Sequence, residues 1–300
     1  MHSGFISKRL LRGREASLGL VLTFPVSAIM LALVLLPLVI TVFDSFYRIE
    51  PMKPGTPFVG FRNYLTLMTD GNVLQSWVNT FAYVILAVTI ETLGGLGAAL
   101  VLHKARFGRR WLLAIVVLPW CLPPVVNAII WLWIYNPSYG LLNGILRGVG
   151  LISENQVWFN NRFTGLLLAS VVHAWRMLPL TAIILLAALQ SIPVNLYEAA
   201  KIDGASPWQQ FTLVTLPLIS SGIAIALSQS TVFAFNLFDE AWILNGSALD
   251  TRSIMVQVYI SAFQNMKFSL GMTLSILAMV ASLAVSALYV LRVYKETSFD

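Results

Sequence analysis

An all-α membrane protein with six transmembrane helices is the architecture written into this 300-residue sequence. Hydrophobic residues make up 58% of it and charged residues only 11%, with a mean hydropathy of +0.79. Ordinary soluble domains carry roughly 25% charge. The apolar residues gather into six runs, each long enough to cross a bilayer as a helix, for which about 20 residues suffice. Lys and Arg cluster at the ends of those runs, so the net charge of +6 marks membrane topology rather than a nucleic-acid surface.

The chain starts with Lys8, Arg9, Arg12 and Arg14, followed by an uncharged run over 18–43. A basic start before an apolar run also fits a signal peptide. The run exceeds the roughly 7–15 residues of a signal core, and no small-x-small cleavage site follows. It reads as a retained span, with Pro25 and Pro37 as bend points. A polar loop occupies 44–76. The second run, 77–102, is interrupted only by Glu91, and its Gly94, Gly95 and Gly97 allow close helix contact. The basic loop 103–110 holds Lys104, Arg106, Arg109 and Arg110. The third run, 111–135, is uncharged and contains Pro119, Pro123 and Pro124. Within 136–162, the glycine-spaced stretch 140–150 suits a short amphipathic surface helix. The fourth run, 163–190, carries His173 and Arg176. The fifth covers 211–238, its first residues still belonging to the loop before it. Residues 239–267 read as polar, and the sixth run, 268–291, precedes Arg292 and Lys295. The single Cys121 lies in an apolar run, excludes an intramolecular disulfide and reads as a packing residue.

Six spans put both termini on one side. That side collects the four basic residues of the start, the four of 103–110, Lys201, Arg292 and Lys295. The other side collects Arg48, Lys53, Arg62, Arg147, Arg162, Arg252 and Lys267, spread over longer loops. The bias places both termini and the loop around Glu198 in the cytoplasm. The whole of 1–300 reads as one transmembrane domain, with the cytoplasmic loop 191–217 inside it.

That loop is the most informative stretch. Pro193 stops the fourth run, 196–201 are mostly good helix formers, Gly204 suits a helix C-terminus, and Ser206-Pro207 suits the start of the next helix. Spacing alone leaves an ordinary inter-helix loop open. The order Glu198-Ala199-Ala200, then Asp203-Gly204-Ala205, then Leu216-Pro217 resembles the EAA loop of the membrane subunits of binding-protein-dependent ABC importers. In that family the loop is a coupling helix that docks in a cleft of the ATPase subunit, so the resemblance implies ATPase coupling for Glu198, Ala199, Ala200, Asp203, Gly204 and Ala205. The likeness extends along the chain through Phe58-Val59-Gly60-Phe61-x-Asn63-Tyr64, Asn79-Thr80, Leu118-Pro119 with Pro123, the stretch from Trp131 to Asn143, and 186–193. It is closest to carbohydrate-type permeases of the maltose/glycerol-phosphate "first permease" kind.

The resemblance implies a type I importer permease fold in the cytoplasmic (inner) membrane. It also implies partners: a second, non-identical permease subunit, two copies of an ABC ATPase subunit and an extracytoplasmic solute-binding protein. ATP and Mg would bind the ATPase, with no cofactor in this chain. No Gly-x-x-x-x-Gly-Lys-Ser/Thr phosphate loop occurs, so this chain reads as a non-enzymatic subunit. Alternating access would follow from ATPase closure moving the docked Glu198 helix.

Polar residues inside spans are costly and are functional candidates. Here they are Glu91, Asn127, His173, Arg176, Gln229 and Asn236. Asn127 and Gln229 most simply bridge helices, and Glu91 pairs within the bundle. The segment 233–239 resembles a pocket segment of the maltose permease, with contacts falling on Phe235, Asn236 and Asp239. The segment 173–180 resembles the other, with His173, Met177 and Leu180 at contact positions and Arg176 beside them; Trp120 resembles an aromatic contact. Aromatic faces that stack on C–H surfaces, with amide and carboxylate groups for hydroxyls, suit a sugar. Residue types depart from the maltose pattern at His173, Met177, Leu180 and Asp239, which argues against maltose itself. Two readings fit Arg176: a fork for the carboxylate, phosphate or sulfonate of an acidic sugar, or a structural residue that packs or pairs with Asp239 or Glu91. A stand-alone secondary transporter would need ion-coupling residues and often inverted repeats, and no repeat is evident. An embedded enzyme has no metal or nucleophile spacing to draw on, with His at 2, 103 and 173 only.

Overall fold

Uncharged runs in hydrocarbon can satisfy their backbone only by bonding within the segment or in a closed barrel. The computed structural model, which describes residues 19, 21–105 and 107–297, takes the first course: those residues are largely helical and form no named strand, with an isolated bridge between Tyr47 and Phe58. Lys8, Arg9, Arg12, Arg14 and Arg106 lie outside the described residues, as does the Lys295 side chain.

Four helices are long and apolar enough to cross a membrane. These are α1 (Val21–Asp44), α3 (Gly71–Lys104), α7 (Arg162–Gln190) and the helix that begins at Phe268, designated α13 (Phe268–Thr297). A short α2 (Arg62–Thr69) precedes α3. Asp70 caps α3 by accepting from the Asn72 and Val73 N–H groups, and Asn161 caps α7 by accepting from Phe163 and Thr164.

The third and fifth apolar runs are each broken. The third forms α4 (Arg109–Cys121) and α5 (Pro124–Ile134), bent by 96°. Pro123 and Pro124 have no N–H to continue the ladder, and Leu122 before them is extended. The surface helix expected after it is α6 (Leu141–Gly148). The fifth run forms α9 (Pro207–Leu218) and α10 (Ser220–Phe235), bent by 67° at Ile219. The helix α8 (Val194–Ile202) lies between α7 and α9.

Two expectations need correction. Residues 239–267 are not a polar loop. They form α11 (Asp239–Asn245) and α12 (Ile254–Gln264), which bury Ala241, Leu244, Ile254, Val256 and Ile260. Both helices are too short to register as apolar runs. Cys121 is not a packing residue, because the 3₁₀ turn Leu118–Cys121 leaves it exposed.

α3 and α7 share the most extensive helix contact. Between apolar helices in lipid the attraction comes from close packing, which small residues permit. A Cβ on Gly95 would lie 2.7 Å from Thr181 Cγ2 and 3.2 Å from the Ala182 backbone nitrogen; one on Gly94 would meet the flexible Leu178 side chain. Gly97, expected to share this role, has nothing within 4 Å. α10 packs on both, with Gly222 against Ala188 of α7, and α13 packs against α10 and the α3 face. Ser228 and Ser286 each donate to the other's carbonyl at 3.3 Å.

The segment before α12 is pinned to α3 by side chains. Asn79 Nδ2 donates to the Leu249 and Arg252 carbonyls, Tyr83 Oη donates to the Thr251 carbonyl at 2.7 Å, and Thr80 Oγ1 accepts from the Ile254 N–H. Arg162 donates to Asn79 Oδ1 from the start of α7. By contrast, α1 buries nothing in its apolar window.

Replacing Gly95 by Leu should cost about 1–3 kcal/mol of stability through overpacking, whereas Gly97→Leu should be nearly neutral. Thermal unfolding of the two purified variants in detergent checks this. An equal loss in both would mean that the α3–α7 seam is not set by Gly95.

Candidate functional site

Two places in the fold carry features that packing alone does not require. The first is the helix α8. Pro193 supplies its N-cap with extended backbone, and Asp203 closes it. Gly204 then turns left-handed, with φ +78°. Its N–H bonds to the Lys201 carbonyl at 3.1 Å, and the Ala205 N–H bonds to the Ala200 carbonyl at 2.9 Å. This paired arrangement ends helices cleanly and favours glycine, which has no Cβ to clash at positive φ. Ser206 starts α9 at once: its hydroxyl accepts from the Gln209 N–H, and the Gln209 side chain accepts from the Ser206 N–H. Tyr197 Oη and Thr215 Oγ1, 3.0 Å apart, tie α8 to α9. Glu198, Ala199, Asp203 and Gly204 are exposed, and Ala200 and Ala205 are half-buried. Val194 and Ile202 expose 69% and 86% of their area, an apolar surface beside Glu198 that a partner could cover.

The second is a cluster of charged groups inside the bundle. His173 and Arg176 lie three residues apart on α7, hence on one face. Glu240, on the first turn of α11, reaches both. Its Oε1 accepts from Arg176 Nε at 3.3 Å and Nη2 at 3.2 Å, and lies 3.3 Å from His173 Nδ1. On the other edge of the ring, His173 Nε2 is 3.6 Å from Glu91 Oε1 of α3. The side chains of Glu91, His173 and Glu240 are at most 2% exposed, and that of Arg176 is 13% exposed. Arg176 offsets Glu240. The four groups are then neutral together when a single proton is held between His173 and Glu91. Asn127 of α5 donates to the Val172 carbonyl next door at 3.2 Å.

The break after α10 makes this cluster possible. Asn236 caps α10, its amide donating to the Val232 carbonyl at 2.7 Å, and Phe238 leaves the helical region. The chain then re-enters as α11 with Glu240 turned inward. A structural Arg176 is expected to pair with Asp239 or Glu91; its partner is instead Glu240, in a stretch that reads as polar. The choice between Asp239 and Glu240 depends on where α11 begins. Asn127 makes the interhelix bond expected of it. Gln229, expected to do the same, makes no side-chain hydrogen bond among the described residues.

The other candidate solute residues divide by exposure. Trp120 and Asn236 are exposed, and Arg176, Leu180 and Asp239 are half-buried. His173, Met177 and Phe235 are buried.

Comparison with known proteins decides the family. Residues 91–295 match the family model described as binding-protein-dependent transport system inner membrane component. The chain belongs to this family. It is also 34% identical over 280 residues to the trehalose/maltose transport system permease protein MalF of Thermococcus litoralis, covering 93% of this chain and 94% of that one. It is 30% identical to the trehalose transport system permease protein SugA of Mycobacterium tuberculosis, covering 89% and 85%. It is 28% identical to the sulfoquinovosyl glycerol transport system permease protein SmoG of Agrobacterium fabrum, covering 91% and 89%. Among solved structures, a bacterial ABC transporter for the acidic polysaccharide alginate matches with a TM-score of 0.78 at 22% identity, over 96% of this chain and 99% of that chain, which shows the fold. The inner membrane component described here is thus an all-helical ABC importer permease, not a stand-alone secondary transporter.

In this permease Glu240 is buried and Arg176 largely so, and removing one partner strands the other. Glu240→Gln and Arg176→Met should each cost about 3–5 kcal/mol. The double variant should cost clearly less than their sum. A double-mutant cycle from thermal unfolding in detergent measures the coupling, and strict additivity would dismiss the pairing.

Proposed function

We propose that this permease is one of two membrane subunits of an importer that takes a neutral sugar from an extracytoplasmic solute-binding protein, driven by ATP hydrolysis in partner ATPase subunits. The six apolar runs are six spans, each bent pair counting as one. Both termini and the loop 191–217 face the cytoplasm, within a single permease domain over 1–300. Two ATPase copies would bind the ATP and Mg, one docking on α8 of this subunit.

The observation that carries the coupling role is α8 itself. It is a short, cleanly closed helix with Glu198 and Ala199 outward beside exposed Val194 and Ile202. Its left-handed termination favours glycine at 204, where a side chain would be strained. Glu198→Lys, which reverses charge at the proposed docking face, and Gly204→Asp, which puts a side chain at φ +78°, should both abolish uptake. Capture of solute by the binding protein should persist in both. Full uptake in both variants would remove the coupling assignment.

A neutral solute is favoured because Arg176 already has its carboxylate in Glu240. A group so neutralised is a poor fork for an acidic sugar. Trp120, Asn236 and Asp239, with Leu180 and the edge of Arg176, line the path, and His173, Met177 and Phe235 support them from within. The relatives' names fit a sugar, and the alginate importer was solved in complex with a solute-loaded periplasmic protein, the type of partner proposed here. A binding screen on the cognate solute-binding protein, with neutral and acidic sugars side by side, should return a neutral di- or oligosaccharide. Tight binding of an acidic sugar instead would give Arg176 back its role as anion fork.

Sidedness is read by labelling. In a Cys121→Ser background, Tyr139→Cys should react in intact cells with a membrane-impermeant maleimide, and Asp203→Cys should react only after permeabilisation. The reverse pattern would invert the topology.

A further inference from the structure

A cavity beside the first of the two features above carries positive charge that neither feature explains. It has a volume of about 700 Å³ and lies where the last turn of α3 meets the loop formed by α8 and α9. His103 and Lys104 reach it from α3, and Lys201 reaches it from α8. None of the three forms an ion pair among the described residues, and no Asp or Glu lines the cavity. Leu100, Trp208 and Phe211 supply an apolar wall on the same cavity. Each lysine also sits in the last turn of its own helix, where it offsets the negative end of that helix. That effect does not require charges from two separate elements to converge on one apolar-walled space with no counter-charge.

The surroundings indicate the ligand. Exposed Phe107, Trp111 and Trp208 lie in the loop and helix starts near this cavity, and Arg110 lies over the Trp111 ring at 5.5 Å. Aromatic and basic residues together mark a membrane–water boundary. A basic pocket between helices at that level fits an anionic lipid headgroup. We propose that this cavity binds the phosphate headgroup of an acidic phospholipid, with His103, Lys104 and Lys201 facing the phosphate and Leu100 and Phe211 along the start of the acyl chains. Such a lipid would bridge α3 to the coupling loop, so that occupancy braces α8. Placing the cavity on the cytoplasmic side rests on the orientation proposed above; its charge and shape do not.

The test uses the full chain with whatever subunits co-purify, stripped of lipid and returned to nanodiscs of phosphatidylcholine alone or containing phosphatidylglycerol. Native mass spectrometry reads the retained lipid, and thermal unfolding reads the stabilisation. The wild type should retain phosphatidylglycerol selectively. Lys104→Gln/Lys201→Gln should reduce that retention by about tenfold or more, since each cation near an acidic headgroup contributes about fivefold. Lys104→Arg/Lys201→Arg should restore it, which separates lost charge from misfolding. Arg62→Gln, an exposed basic residue outside the cavity, should match the wild type. Equal retention by the Gln variant and the wild type would overturn the proposal. So would stabilisation in phosphatidylcholine nanodiscs by inorganic phosphate or glycerol 3-phosphate to the same extent, because the ligand would then be a soluble phosphate compound. Lipid retention is measured without transport, and maleimide labelling reads orientation separately, so failure here is distinct from failure of the importer reading.

Discussion

The buried charged cluster of this membrane protein hangs on one close approach. α3 and α7 can lie against each other because Gly95 has no Cβ to meet Thr181 and the Ala182 backbone. In lipid that contact draws little from the hydrophobic effect, since the bilayer is as apolar as the helix surface it would bury. Shape fit therefore carries the association, and the polar groups are planted on its product. Glu91 comes from α3, while His173 and Arg176 come from α7. Only with those two helices in register can the ring of His173 stand between two carboxylates.

The cluster then fixes a third element that could not hold itself. α11 is seven residues long, far below the length at which an isolated helix is stable. Its packing on α5 and α7, the stacking of Trp242 on Phe238, and above all Glu240 in the charged cluster hold it in place. The arrangement also limits what Arg176 can do. A guanidinium whose forked donors converge on an internal carboxylate is positioned and neutralised before any solute arrives. Conversely, a solute able to compete for Arg176 would have to displace Glu240 and unlock α11.

The parts legible in the sequence were those governed by short-range rules. Span lengths follow from hydropathy, the closure of α8 follows from Gly204, and the start of α9 follows from Ser206-Pro207. The six apolar runs were visible, but their breaks were less so: Pro123 and Pro124 announced one, whereas the bend at Ile219 follows Pro217 without any strong local signal. What stayed hidden depended on three-dimensional register. Residues 239–267 looked polar because the two helices there fall far below span length and polar residues separate them, although Ile254–Gln264 is itself apolar. Glu240 was missed for the same reason, since a one-residue shift in the start of α11 exchanges it with Asp239. Gly97 looked equivalent to Gly94 and Gly95 until the helix partner was known.

The junction between α8 and α9 has a mechanical meaning. One helix ends in a doubly bonded left-handed turn at Gly204, and the next begins in a reciprocal cap at Ser206, with Ala205 alone between them. The Tyr197–Thr215 contact ties the two arms together. No slack is available in such an elbow. In the coupling role proposed above, a load applied at Glu198 would pass along α9 to the 67° corner at Ile219. There the ladder is already interrupted, and α10 leads directly to the Asn236 break and the charged cluster beyond it. A braced junction at one end and a bend at the other would let this stretch act as a crank, converting a push at the surface into rotation next to Glu240.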